Sequence, residues 1–253
     1  MPYSSESFKS FNPTGEIIVA LLIIGVLMIL AIVVGILARK ADPTKKPKGL
    51  LLLVEWCVEK LDATVHETMG PGFENFGGLL LAIIPFLFLS FTIGITGLPT
   101  PMSNIAVPLT LALITFILIH VTSIRYTRWR YFKRFVDPIP VFLPVNLISM
   151  WAPLISMTLR MFGNAIVGWV LISLLNSLLG NISAAIFSFA PAGLNSVFIT
   201  PIVTPVFHAY FDLFSGFIQT MVFVFLTMLF IAQERPEDVE TEVALATRKE
   251  NHA

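Results

Sequence analysis

The sequence predicts an all-α membrane protein, and three observations carry that prediction. Hydrophobic residues make up 56% of the 253-residue chain and charged residues 13%, with a mean hydropathy of +0.84. That is more apolar surface than a soluble core of this length could bury. The apolar residues fall into runs of the ~20 residues that span a bilayer as a helix, and the charges are crowded into short segments between them. The arrangement that follows is three spanning helices, one in-plane amphipathic helix on the cytoplasmic face, and a C-terminal hairpin of two long tilted helices.

Residues 1–16 are polar and read as an external N-terminus, and residues 17–38 as the first span. A cleaved signal peptide fits less well, because the run is longer than the usual h-region and no basic n-region precedes it. Arg39 and Lys40, followed by Lys45, Lys46 and Lys48, form a basic cluster that the positive-inside rule assigns to the cytoplasm. Over residues 49–69 the pattern changes. Leu50, Leu53, Val54, Cys57, Val58, Leu61 and Val65 recur at three and four, with Glu55, Glu59, Lys60, Asp62 and Glu67 between them. This spacing predicts a helix lying on the cytoplasmic membrane surface. His66 falls near its polar side, where a lone histidine reads as a solvated residue.

Residues 76–98 and 105–124 read as a second and third span, joined by a short uncharged outer loop. Arg125, Arg128, Arg130, Lys133 and Arg134 follow among tyrosine, tryptophan and phenylalanine. Flanked by spans, this run is a cytoplasmic loop with interfacial aromatics and not a nucleic-acid patch. Residues 138–180 and 192–233 are apolar segments of about forty residues each. As helices they would reach about 60 Å, twice the hydrocarbon thickness, so they are expected to tilt or bend, with Pro153, Pro201 and Pro205 available as kinks. A turn near residues 181–191 joins them, and the polar tail 234–253 returns to the cytoplasm. Net charge is zero, and the single Cys57 excludes an intrachain disulfide and belongs to no metal-ligand pattern.

Arg160 is the only lysine or arginine between residues 138 and 233. A guanidinium stays protonated, and holding one at membrane depth costs roughly 3 to more than 10 kcal/mol unless it is compensated. Ser156, Arg160 and Asn164 lie four apart and share a helix face. A structural pin pairing with a neighbouring carboxylate is one reading, and a functional site on an ion or substrate path is the other. In the last segment His208, Asp212, Ser215 and Gln219 stand at spacings of four, three and four, with Thr204 one turn earlier, again one face of a regular helix. Interhelical hydrogen bonding is the plain explanation. Against it stands Asp212, the only acid between residues 138 and 233 and a functional-site candidate by position alone.

The run Leu159-Arg160-Met161-Phe162-Gly163-Asn164 resembles the L-R-L-F-G-N signature of subunit a of the F-type rotary ATP synthase, and Ile218-Gln219-Thr220-Met221-Val222-Phe223 resembles the L-Q-x-F-x-F run of that family's last helix. With order and spacing the resemblance covers about residues 50–233. It implies an ion-conducting stator in the cell membrane, without cofactor, metal or catalytic site of its own, working beside a c-subunit ring, a b-subunit peripheral stalk and the soluble F1 sector. By the same resemblance Arg160 matches the essential arginine facing the ring carboxylates. Asn164 and Gln219 match its polar companions, Ser123 a half-channel position, and Asp212 the His-or-acid site of the outer half-channel, with His208 and Ser215 beside it. The choice between H⁺ and Na⁺ belongs to the ring, and the proton is the expectation carried forward.

The sequence departs from the family pattern at three places. Trp169 stands nine residues after the arginine where members carry an acid or His, and Ile93 and Thr96 stand where many carry Asn and an acid. Two other function classes compete: a stand-alone transporter of small anions using Arg160, and a membrane hydrolase using His208 and Asp212. Against the first counts the lack of an internal repeat. The second lacks a paired nucleophile, and no phosphate-cradling Gly-rich loop is present for nucleotide chemistry.

Overall fold

A computed structural model describes residues 15–41, 49–73, 76–127, 143–187 and 198–235. The basic cluster at 45–48, the run 128–134, residues 1–14 and the tail from 236 lie outside the described residues. The described chain is all-helical. Its elements are α1 (Gly15–Lys40), α2 (Leu50–Met69), α3 (Phe76–Thr92), two 3₁₀ turns (Ile93–Thr96 and Pro101–Ser103), α4 (Ala106–Thr127), α5 (Leu143–Ile186), α6 (Thr200–His208), a π-helical segment (Ala209–Ser215) and α7 (Gly216–Ala232). Among the described residues, five stretches are long and apolar enough to cross a membrane: Gly15–Lys40, Phe76–Thr96, Ala106–Tyr126, Leu143–Ile186 and Thr200–Ala232.

α1 is apolar on every side, so its sequence does not say which face meets protein. Only Val19, Ala20 and Ile23 are buried, a narrow stripe at helical spacing; Glu16, Ile17, Gly25, Leu27 and Val34 are half-buried and the remainder is exposed. The helix begins at Gly15, so Glu16 belongs to its first turn and not to a polar leader. α2 divides along its length. Val65 and Met69 at its end are buried against α3 and α7, whereas Leu52, Leu53 and Trp56 near its start are exposed. Gly70, at φ 75, ends it by donating its N–H to the His66 carbonyl at 3.1 Å.

The core lies where α3, α4, α5 and α7 meet, through Leu87, Phe91, Phe116, Met157, Met161 and Phe223. A buried contact of 3.3 Å between the Thr115 and Thr227 hydroxyls ties α4 to α7 within it. α3 and α7 approach closely at Gly216, where any Cβ would fall 2.5 Å from Phe91 Cβ. α5 continues past Gly180 to Ile186, further than the sequence suggested, and carries Pro153 internally. At its 44 residues it measures about 66 Å, longer than the hydrocarbon core is thick. Along α5 to α7 runs a largely exposed apolar face that includes Ile155, Leu159, Val167, Ile202, Val206 and Phe217.

Candidate functional site

The site is built between α5 and the C-terminal helix. Thr204 donates its hydroxyl hydrogen to Asn176 Oδ1 at 2.6 Å, and Ser215 donates to Asn164 Oδ1 at 2.8 Å. The partner number falls as the other rises, so the two helices run antiparallel. Phe211 beside Gly168 keeps the same register, its Cβ 3.4 Å from where a Cβ on that glycine would lie. Continued by one turn, this register sets Gln219 level with Arg160.

Regular α-helical winding, as the spacing suggested, does not persist through this stretch. Residues 209–215 form a π segment, a wider turn with i→i+5 bonds that shifts the register of side chains before and after it. From the residue just before it, His208 Nδ1 lies in hydrogen-bond contact with Asp212 Oδ2 at 2.7 Å, four residues on. A π segment leaves backbone carbonyls less tightly bonded than an α-helix does, and such segments concentrate at functional sites.

Asp212 looks into a cavity of about 660 Å³ at the end of the bundle that carries the start of α1. α5 contributes Asn164, Trp169 and Asn176 to its wall, and the segment after α3 contributes Gly94, Gly97 and Thr100. Gly94 makes room there. A Cβ at this position would stand 2.8 Å from Asp212 Oδ2 and 3.0 Å from Thr100 Oγ1, so the missing side chain is the room the carboxylate occupies. Gly97 adopts φ 79 and donates its N–H to the Gly94 carbonyl at 3.0 Å, turning the chain along the rim. A second cavity, of about 620 Å³, shares Asn176 and His208 with the first and reaches Thr204.

Of the residues singled out from sequence, His208, Asp212 and Asn164 line the larger cavity, and Ser215 is bonded to Asn164. Gln219 is buried. Ser123 is buried in α4, away from the cavity wall. Arg160 stands apart: it is exposed on the apolar outer face of α5, and its described hydrogen bond is a long one, Nη2 to Ser156 Oγ at 3.4 Å. No carboxylate among the described residues pairs with it. Trp169 is 69% exposed, yet it also forms part of the cavity wall. Ile93 and Thr96 do not line the cavity; the Thr96 hydroxyl is occupied by the Ile93 carbonyl at 2.7 Å. The residue that sequence reasoning missed is Glu16, which reaches the same cavity from α1.

The model of the family described as ATP synthase A chain matches residues 18–232. The chain is similar to ATP synthase subunit a of Mycoplasma genitalium, 31% identical over 250 residues that cover 94% of this chain and 85% of the relative. It is also similar to the subunit a of Mycoplasma pneumoniae, at 29% over 96% of this chain and 87% of the relative. To that of Streptococcus agalactiae serotype Ia it is 29% identical, over 78% and 82%. With five stretches able to cross a membrane and a match spanning most of its length, this chain belongs to the ATP synthase A chain family, that of the membrane-embedded subunit a of F-type ATP synthases.

Proposed function

We propose that this chain is the proton-conducting stator of the Fo sector, with Arg160 facing the carboxylates of a c-ring across the exposed face of α5 to α7. The observation that carries the reading is Arg160 itself, a permanently charged side chain on an apolar outer face, without a carboxylate from its own described residues. A charge so placed is costly unless another chain supplies the counter-charge. A passing ring carboxylate would do so once per step.

In this reading the cavity beside Asp212 is the outer half-channel. A proton arriving there passes to the His208–Asp212 pair. The hydroxyl of Ser215 and the amide of Asn164 lead from that pair toward the level of Arg160 and Gln219. There it neutralises a ring carboxylate, which can then turn into lipid, while the guanidinium holds the next ionised one. The same positive charge bars direct passage of protons to the inner half-channel, to which we assign Ser123 at the far end of α4. Transport then requires rotation.

The exposed face must meet a partner for this to hold. Complex purified gently through a tag on this chain is expected to contain a ring of small hairpin proteins, a b-type stalk and the soluble nucleotide-binding subunits. A photo-cross-linking residue at Leu159 is expected to capture the hairpin protein. Purification without any such ring, or cross-links to lipid alone, would remove the stator reading.

Three spans, an in-plane α2 and a long hairpin give an external start of α1 and a cytoplasmic α2 and C-terminus. In a Cys57→Ser background, a membrane-impermeant thiol reagent applied outside intact cells is expected to label Pro99→Cys and not Lys60→Cys. The reverse pattern would invert the orientation and with it the sidedness of the cavity.

A further inference from the structure

We infer that Glu16 is the proton-collecting carboxylate at the mouth of the cavity, standing in for the acid that position 169 lacks. The inference rests on the half-channel reading above and adds to it a residue that precedes the first position matched by the family model.

Three observations converge on Glu16. It lies on the single buried stripe of α1, one turn before Val19 and Ala20 and two turns before Ile23, so its side chain is carried on the face that meets protein. That turn of α1 is held close to the loop after α3, for a Cβ at Gly15 would lie 3.3 Å from Pro99 Cγ. And Glu16 is part of the wall of the cavity that Asp212 and His208 close from the other side. Among the described lining residues these three are the titratable groups. The loop after α3 adds Thr100 and Ser103, and α5 adds Asn164, Ser173, Asn176 and Trp169, none of which ionises at working pH.

A carboxylate at the wall of a narrow, low-dielectric cavity raises the local concentration of cations and their rate of arrival, effects that span about 10- to 1,000-fold for focused fields. In members of the family with a second acid or histidine after the arginine, that titratable group is built into the helix corresponding to α5. Here α5 presents Trp169 at the place, and α1 brings a carboxylate to the same cavity from just before the residues that the family model matches. The plain alternative is that Glu16 complements the helix dipole at the N-terminus of α1. The two roles differ in what they do to transport: a dipole partner alters how much complex assembles, whereas a proton collector alters how the rate depends on proton supply.

The test is ATP synthesis by the intact complex in proteoliposomes, driven at constant total driving force while the pH on the source side is varied. Glu16→Gln is expected to slow synthesis roughly tenfold at the alkaline end, where protons are scarce, and little at the acid end, so that its profile shifts toward acid. Glu16→Asp is expected to restore most of the wild-type profile. A Glu16→Gln profile parallel to wild type at every pH, whether equal or uniformly lower, would overturn the inference. Chemical recharging gives a second readout within one assembled complex. In Cys57→Ser, Glu16→Cys complexes, an anionic sulfonatoethyl thiosulfonate applied from the source side is expected to move the profile back toward wild type, and its cationic trimethylammonium counterpart to shift it further toward acid. Equal effects of the two reagents would count against a role for charge. Asp212→Asn in the same assay separates the two readings. If it slows synthesis while Glu16→Gln does not, only the present inference falls; if both run as wild type, the cavity is not the path and both fall.

Discussion

Complexes carrying Arg160→Gln assemble, hydrolyse ATP in their soluble sector, and make no ATP from an ion gradient. This is the largest effect expected from any single substitution. Gln keeps a hydrogen-bonding amide at the site and removes the charge. Leaving one partner of a desolvated ion pair alone costs about 3–5 kcal/mol, equivalent to a roughly 10²- to 10⁴-fold loss in a rate that depends on it. In vesicles stripped of the soluble sector, the same variant is expected to leak protons faster than wild type, because the charge that separates the two half-channels is gone. Arg160→Lys is not expected to rescue synthesis, since an ammonium on a different stem does not reproduce the planar, bidentate fork. Coupled synthesis and passive proton uptake, measured on the same assembled preparations, check both parts. Wild-type synthesis by an assembled Arg160→Gln complex would refute the role given to this residue.

Second in expected size is Asp212→Asn. Asn preserves volume and can still meet the His208 ring at the 2.7 Å separation seen for the native pair, but it cannot exchange a proton. Removing a relay group of this kind costs about 10²- to 10⁴-fold when transfer through it limits the rate. Ion-driven synthesis is therefore expected to fall strongly and to lose its native pH dependence. The cavity makes a sharper version possible. Because Trp169 lines the same wall as Asp212, a carboxylate placed there opens on the same aqueous volume, and the Asp212→Asn, Trp169→Glu double variant is expected to recover part of the lost rate. A double variant no faster than Asp212→Asn alone would mean that the two positions do not serve one path. A single Asp212→Asn variant indistinguishable from wild type across pH would end the relay, while leaving Arg160 untouched.

The sequence by itself determined the class of this protein and singled out the two residues on which the proposed chemistry turns. Runs of apolar residues long enough to span a bilayer and charges confined between them leave few architectures other than packed helices. A lone Arg160 and a lone Asp212 in a largely apolar tract of almost a hundred residues stand out because membrane burial makes each one costly to keep. Helical spacing also put His208, Asp212 and Ser215 on one short stretch, where two separate hydrogen bonds are found, His208 with Asp212 and Ser215 with Asn164. Some boundaries were less legible. The π segment at Ala209–Ser215 is one of these, since the spacing of its polar residues reads equally well as a regular α-helix.

Only the tertiary structure decided which residues share the cavity. α1 is apolar on every face, so no periodicity in its sequence reveals which side is buried, and Glu16 reads as the last residue of a polar leader. Its place opposite Asp212 follows from the approach of Gly15 to Pro99 and from the space that Gly94 leaves open, contacts between segments about 80 and 120 residues apart in the chain. Burial of Gln219 and exposure of Arg160, at one level of the same helix pair, were likewise set by how the helices pack. Local sequence specifies a helix and the price of a charge upon it; which way that charge faces depends on residues far away, and is fixed only when the helices meet.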